Sequence, residues 1–369
     1  MKLGVAAALV DDRYVKGDVS IDPARGAIEE VGLASWDGRG VACPGFVDLQ
    51  VNGFGGVDFA LADVDAYTRA GTALAASGVT AYQPTLITGP IALMKSGLGV
   101  AAQAQGVAGG AHIIGVHLEG PFIAAERRGA HDAAHLLAAE LPVLADLVNA
   151  GPVTLVTLAP ELAGAGKLID FLREAGITTS CGHSNASAEE ADEAFKRGAR
   201  VVTHLFNAMR PFHHRAPGLV GAALTGEVTM TLIADPFHVD GEAVLLAFAA
   251  GPGRVALISD ANAATCAPPG HYTLGGTPII SDGTVARRDD GTLAGPVGDL
   301  RAGVLRAVNV GVPPERAIAS VTTVPARTVG AGDVGRLRPG GRADVVVMDD
   351  SFEILRVLVG GRDATGGEA

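Results

Sequence analysis

The chain has 369 residues, 48% of them hydrophobic and only 4% aromatic, enough for one large domain or two ordinary ones around a core of Ala, Val and Leu. Its formal net charge of −12 argues against nucleic acid or an anionic membrane surface as partner, and means that an anionic substrate must be met by a local basic cluster. Three scattered cysteines (Cys43, Cys181, Cys266) show neither a disulfide framework nor CxxC spacing, and no stretch reads as a signal peptide or a membrane span. The expectation is a cytoplasmic protein with reduced thiols.

Residues 1–43 read as short strands and turns, KLGVAAALV, YVKGDVSI and AIEEVGLA. The other terminus mirrors them in ADVVVMDD and FEILRVLVGG, a strand pair turning near Asp350-Ser351. Two β-rich ends around a long middle predict one small β-sandwich built from 1–43 plus 334–369, with a second domain over 44–333.

The middle alternates strand and helix. Strands are expected at 46–52, 79–86, 113–119, 153–160, 178–183, 200–207, 228–235 and 255–262. Between them lie amphipathic segments such as LADVDAYTRAGTALAASG and SAEEADEAFKRG, the latter with Ser187 as N-cap and Glu190 three residues on. In AAHLLAAELPVLADLVNAG, Pro142 is expected to break the helix. Eight β-branched strands alternating with helices predict a (β/α)8 TIM-like barrel, with its site where the strands end. A doubly wound sheet is the alternative, but neither GxGxxG nor a Walker loop is present. Two insertions stand out: NAMRPFHHRAPGLVG after strand six, and HYTLGGTPIISDGTVARRDDGTLAG after strand eight, which resembles a hairpin turning at Asp282-Gly283.

The strand ends carry the chemistry. Strand three ends in Glu119, five in His183, six in His204 and eight in Asp260, while His238 follows strand seven. A lone histidine is more often a loop or core residue than a ligand. Four metal-competent residues at four strand ends of one barrel face one crater. Two imidazoles and a carboxylate suit one divalent ion, Zn2+ first, with Fe2+, Mn2+ or Co2+ as alternatives. Asp260 is the candidate to take a proton from water.

The motifs PGFVDLQVNG (44–53), GVHLEGPF (115–122), GHSNA (182–186), THLFNAM (203–209), HVDG (238–241) and ISDAN (258–262) resemble those of the N-acetylglucosamine-6-phosphate deacetylases of the amidohydrolase superfamily, across nearly the whole chain and in order. The resemblance implies an amidohydrolase-type barrel with a split β domain, and deacetylation of N-acetylglucosamine 6-phosphate. It implies that Glu119, His183 and His204 bind the metal and that Asp260 activates water and then protonates the leaving amine. His238 would contact the substrate and polarise the acetyl carbonyl. His131, Asn207 and Ala208 would contact the sugar phosphate. Arg215 would bind phosphate, in a homodimer where it can act across the interface. RPFHHRAPG is independently a basic patch in an acidic chain, as a phosphate requires.

Two departures matter. Gln50-Val51-Asn52 stands where many amidohydrolases carry His-x-His, and neutral amides are poor ligands, so one tight metal is expected. TLAGP (292–296) has Pro296 where the family usually has a serine near the sugar. The same chemistry on N-acetylgalactosamine 6-phosphate or another N-acyl compound therefore stays open, as does a non-catalytic sugar-phosphate binding protein.

Overall fold

The computed structural model describes residues 1–34, 37–106 and 110–365. Eight parallel strands follow one another around a barrel: Phe46–Val51, Val79–Ile87, Val116–Glu119, Val153–Leu158, Thr178–Cys181, Val201–Val202, Thr229–Leu232 and Val255–Leu257. Each pairs with its successor. A parallel bridge from Val51 to Ala261 joins the last strand's extension to the first. The expected (β/α)8 barrel is therefore the observed architecture.

A helix follows every strand, from Val64–Ala76 after the first to Leu300–Asn309 after the eighth. Asp63, Ser187, Asp240 and Asp299 cap helices by accepting a backbone N–H, and Ser187 with Glu190 forms the expected capping box. Pro142 does not break its helix. Residues 136–140 are already outside any helix, and the proline lies in the first turn of Leu141–Val148, where its missing N–H costs no hydrogen bond.

Most strands are shorter than their sequence pattern. The third is split into His112–Ile113 and Val116–Glu119 by Gly115, at φ +122°, where a Cβ would lie 2.0 Å from Thr154 Oγ1. The sixth shrinks to Val201–Val202, because the chain turns out of the sheet just beyond it. The insertion after strand eight is larger than a hairpin: Gly270–Leu274, Thr277–Ser281, Val285–Arg287 and Leu293–Pro296 form a four-stranded antiparallel sheet.

The two termini share a six-stranded sheet in which Val41–Pro44 lies between Ala7–Val10 and Val345–Met348. Asp18–Asp22 and Ala27–Leu33 form a separate ribbon. Residues from both ends, among them Val5, Val19, Ile28, Ala42, Val345 and Leu358, bury one common cluster. Residues 366–369 of the expected terminal segment lie outside the described residues. Among the described residues no helix is long and apolar enough to cross a membrane.

Inside the barrel, Val47, Leu49, Ala81, Leu155 and Val201 form an apolar plug. Beside it lies a buried hydrogen-bonded set: Thr85, His117, Thr157, Ser180 and Thr203. Burial pushes the His117 imidazole down to about 4, so it stays neutral and its two ring nitrogens meet threonine hydroxyls. It is part of this polar set rather than of the site, and it gives the strand ends a rigid floor.

Candidate active site

His183, His204 and Asp260 each lie just beyond a strand, at φ +49°, +30° and +47°. Left-handed backbone is costly for residues with a Cβ, and it turns these side chains off the sheet ladder into the barrel mouth. Ala208, at φ +50°, bends the next loop the same way. The mouth holds a cavity of about 280 Å³ whose walls include Glu119, His131, His183, His204, Asn207, Ala208, His238 and Asp260. Thr292–Gly295, from the inserted sheet, and Leu274 cover it. Arg288 Nη1 donates to Ala130 O at 2.7 Å and ties that cover to the loop carrying His131.

Glu119, His183 and His204 are buried, with ligand atoms all within 4.8 Å of one another. Glu119 Oε1 lies 3.1 Å from His183 Nε2 and 3.0 Å from His204 Nε2. Those two nitrogens are 3.0 Å apart. His183 Nδ1 is 2.8 Å from Arg127 O, and a carbonyl only accepts, so Nδ1 carries the proton. In the neutral ring Nε2 is then a bare lone pair aimed at a carboxylate oxygen and a second imidazole. The Glu119 oxygen and the His183 lone pair converge there beside the His204 ring, an arrangement that a divalent cation relieves. The donor set thus fits a metal ion. Burial pushes the Glu119 carboxyl up, but the His131, His183 and His204 rings packed against it outweigh that and hold the group well below the usual carboxylate range.

Asp260 faces this cluster. Its Oδ1 accepts from Gln50 Nε2 at 2.9 Å and from Asn52 Nδ2 at 2.8 Å. Gln50 Nε2 also donates to Glu119 Oε1 at 2.9 Å. The Gln-x-Asn pair is therefore a bracket that sets the rotamer of Asp260, and the Gln50 amide spans the two carboxylates. Burial, then the Glu119 charge, raises Asp260 to about 6, within reach of neutral pH for proton transfer.

His131 Nδ1 meets Thr88 Oγ1 at 2.8 Å, and its Nε2 lies 3.6 Å from Glu119 Oε2. His238 Nδ1 meets Asp235 Oδ2 at 2.8 Å. Arg215 is not brought into the cavity: with Phe212, His213 and His214 it sits on an exposed loop. Pro296 does not line the cavity either. Its buried carbonyl accepts from Asn262 Nδ2 and Thr265 Oγ1, a task that needs no N–H.

Several contributors carry no motif signal. Thr88 and Asp235 each lie against a cavity histidine, and Glu161 accepts from Ser184 Oγ and Asn185 N to hold the GHSNA turn. Only Asp235, three residues before His238 on a turn, offered a spacing from which its partner could be guessed.

The amidohydrolase family model matches residues 41–363. N-acetylglucosamine-6-phosphate deacetylase of Bos taurus is 37% identical over 96% of this chain and 91% of its own. The chain belongs to the amidohydrolase family, among its N-acetylglucosamine-6-phosphate deacetylases. N-acetylgalactosamine-6-phosphate deacetylase of Escherichia coli O157:H7 is 35% identical over 88% of this chain and 87% of its own. A solved aspartate-to-alanine variant of N-acetyl-D-glucosamine-6-phosphate deacetylase from Mycobacterium smegmatis, in complex with N-acetyl-D-glucosamine-6-phosphate, superposes with a TM-score of 0.91 at 30% identity, covering 98% of both chains.

Proposed function

We propose that this amidohydrolase removes acetate from N-acetylglucosamine 6-phosphate, giving glucosamine 6-phosphate. The observation that carries the proposal is the buried Glu119/His183/His204 cluster with Asp260 beside it in one covered cavity, within a family whose similar members bear that activity in their names. Glu119, His183 and His204 would hold one divalent ion, Zn2+ by the donor set. When bound, such an ion supplies a Lewis acid that acidifies water and polarises a carbonyl.

The chain's own groups then divide the work. Asp260 takes the proton of the attacking water on Oδ2, while Gln50 and Asn52 pin Oδ1. It returns that proton to the amide nitrogen as the C–N bond breaks. His238 meets the acetyl oxygen through Nε2. His131, Asn207 and Ala208 position the sugar phosphate, and Thr292–Gly295 exclude water from above. Because Arg215 is exposed and outside its own chain's cavity, the phosphate is met by Arg215 of the partner subunit in a homodimer. The free thiols of Cys43, Cys181 and Cys266 support a cytoplasmic setting. The common cluster of both termini supports the division into 1–43 plus 334–369 and 44–333.

The test is acetate release from N-acetylglucosamine 6-phosphate and from the unphosphorylated sugar, before and after chelation and zinc add-back. Chelator-sensitive release from the phosphorylated sugar alone supports the proposal; activity on neither sugar by metal-loaded protein ends it. A second reading, N-acetylgalactosamine 6-phosphate as the preferred substrate, is favoured by the 35% identity to the Escherichia coli relative, and the same assay with that sugar ranks the two.

A further inference from the structure

The loop after the seventh strand carries His238, and one carboxylate governs its geometry. Asp235 Oδ1 accepts the backbone N–H groups of Phe237 and His238, both at 2.8 Å. Asp235 Oδ2 lies 2.8 Å from His238 Nδ1. Both oxygens are committed to one histidine, the first holding its backbone and the second its ring. A carboxylate only accepts, so Nδ1 carries the proton. Nε2 is left facing the cavity, with no hydrogen-bond partner among the described residues. The imidazole side chain is 8% exposed and that of Asp235 21%, so water competes weakly for either.

This has a chemical consequence. With Nδ1–H fixed, a neutral His238 offers only a lone pair at Nε2, which repels an acyl oxygen. Nε2 can donate to that oxygen only as part of an imidazolium, with Asp235 as its counter-charge. We propose that Asp235 is a positioning residue that holds His238 in the Nδ1–H form, so that the cavity-facing Nε2–H donor exists only while the ring is cationic. The proposal rests on the reading that His238 meets the acetyl oxygen.

Other charged groups set the background. Asp260 interacts with His238 across the cavity, and Glu119, His131, His183 and His204 line the same space. From the neighbouring helix Arg306 donates to Val239 O, and Asp240 and Glu242 begin the helix that follows His238. None of these touches Nδ1, so exchange of the carboxylate at 235 isolates the effect. Burial pushes the Asp235 carboxyl up, but the His238 ring and the two backbone N–H groups outweigh it and hold it below the usual range, so it is ionised wherever the enzyme works.

Asp235→Asn makes the distinguishing variant. The two backbone N–H groups require the amide oxygen at the Oδ1 place, which puts the NH2 group against Nδ1. That nitrogen must then accept, and the ring proton moves to Nε2. The variant keeps a neutral Nε2–H donor but loses the charge.

In zinc-loaded protein labelled with ¹⁵N-histidine, NMR is expected to show Nδ1–H for neutral His238 in the wild type and Nε2–H in Asp235→Asn, the resonance being assigned by its loss in His238→Gln. In acetate-release kinetics, Asp235→Asn is expected to lower kcat by roughly 10- to 100-fold, less than the roughly 10²- to 10³-fold cost of removing an oxyanion donor outright because a neutral donor remains, with KM changed less than about threefold. An alkaline fall in kcat is expected in the wild type and should disappear in the variant, whose donor no longer depends on a titrating proton. Nε2–H in the neutral wild-type ring, or an unchanged alkaline limb in the folded variant, overturns the proposal. The wild-type spectrum decides even if the variant folds poorly. Wild-type kcat in His238→Gln would instead remove His238 from the acetyl oxygen, and leaves the tautomer result to be read by itself.

Discussion

Asp260→Asn separates chemistry from architecture. Gln50 Nε2 and Asn52 Nδ2 both donate to Asp260 Oδ1, at 2.9 and 2.8 Å, so an asparagine keeps its carbonyl oxygen there and places NH2 where Oδ2 was. The side chain remains in position, but it can no longer accept the water proton. General acid–base catalysis contributes about 10²- to 10⁴-fold, so kcat should fall by that range, roughly 3–5 kcal/mol of barrier, with KM nearly unchanged. Stability should move the other way. In the metal-free fold Asp260 is raised from 3.8 to about 6, chiefly by burial and next by Glu119. A raised carboxyl contributes stability that is full below 3.8 and lost as pH rises through about 6. By pH 8 the ionised group therefore weighs against the fold by an amount on the order of 3 kcal/mol, and the asparagine removes that weight. Asp260→Ala instead leaves two buried amides without their acceptor and should cost stability. Steady-state acetate release, metal content and thermal denaturation of chelated protein at pH 5 and pH 8 measure all of this. An Asp260→Asn enzyme within tenfold of wild-type kcat, or one as unstable as Asp260→Ala at pH 8, refutes the reasoning.

Glu119→Gln should abolish stable zinc binding, since the only anionic ligand of the cluster is lost; metal analysis after gel filtration should find less than about a tenth of an ion per chain, and retention of a full equivalent would exclude Glu119 as a ligand. Arg215→Ala should raise KM for the phosphorylated sugar by about 10- to 100-fold, the worth of a charge-assisted phosphate contact, and leave weak turnover of the unphosphorylated sugar unchanged. Mixing Arg215→Ala with Asp260→Asn chains should then restore part of the activity if the arginine acts across an interface; no recovery in verified heterodimers argues for action within one chain. Arg254 donates to the carbonyls of Ala223, Leu224, Val228 and Ala250, stitching two helix ends to the start of the eighth strand. Arg254→Met should destabilise the fold by roughly 2–4 kcal/mol in urea titration while leaving KM of the folded fraction intact.

Much of this molecule was readable along the chain because its signals are local. Eight apolar, β-branched runs alternating with helix-period segments can bury both strand faces only by wrapping into a barrel, and Ser187 with Glu190 announces a helix start within four residues. Glu119, His183, His204 and Asp260 could be paired with one another without coordinates, since residues at the ends of parallel barrel strands share one face. Other features depend on neighbours far away in sequence. The proton on His183 is fixed by the carbonyl of Arg127, 56 residues earlier, and Asp260 is set by Gln50 and Asn52 more than 200 residues before it. Pro142 reads as a breaker until the non-helical run 136–140 places it in a first turn. The strand pattern outruns the strands for the same reason: it continues through Thr203 and Ser259, but the left-handed backbone at His204 and Asp260 ends the ladder earlier. Periodicity and composition determine which elements form and at which end of them the polar groups collect. The rotamers, tautomers and charge states that turn those groups toward chemistry follow from contacts closed only when the barrel is, because a hydrogen bond across the mouth has no counterpart in the order of the residues.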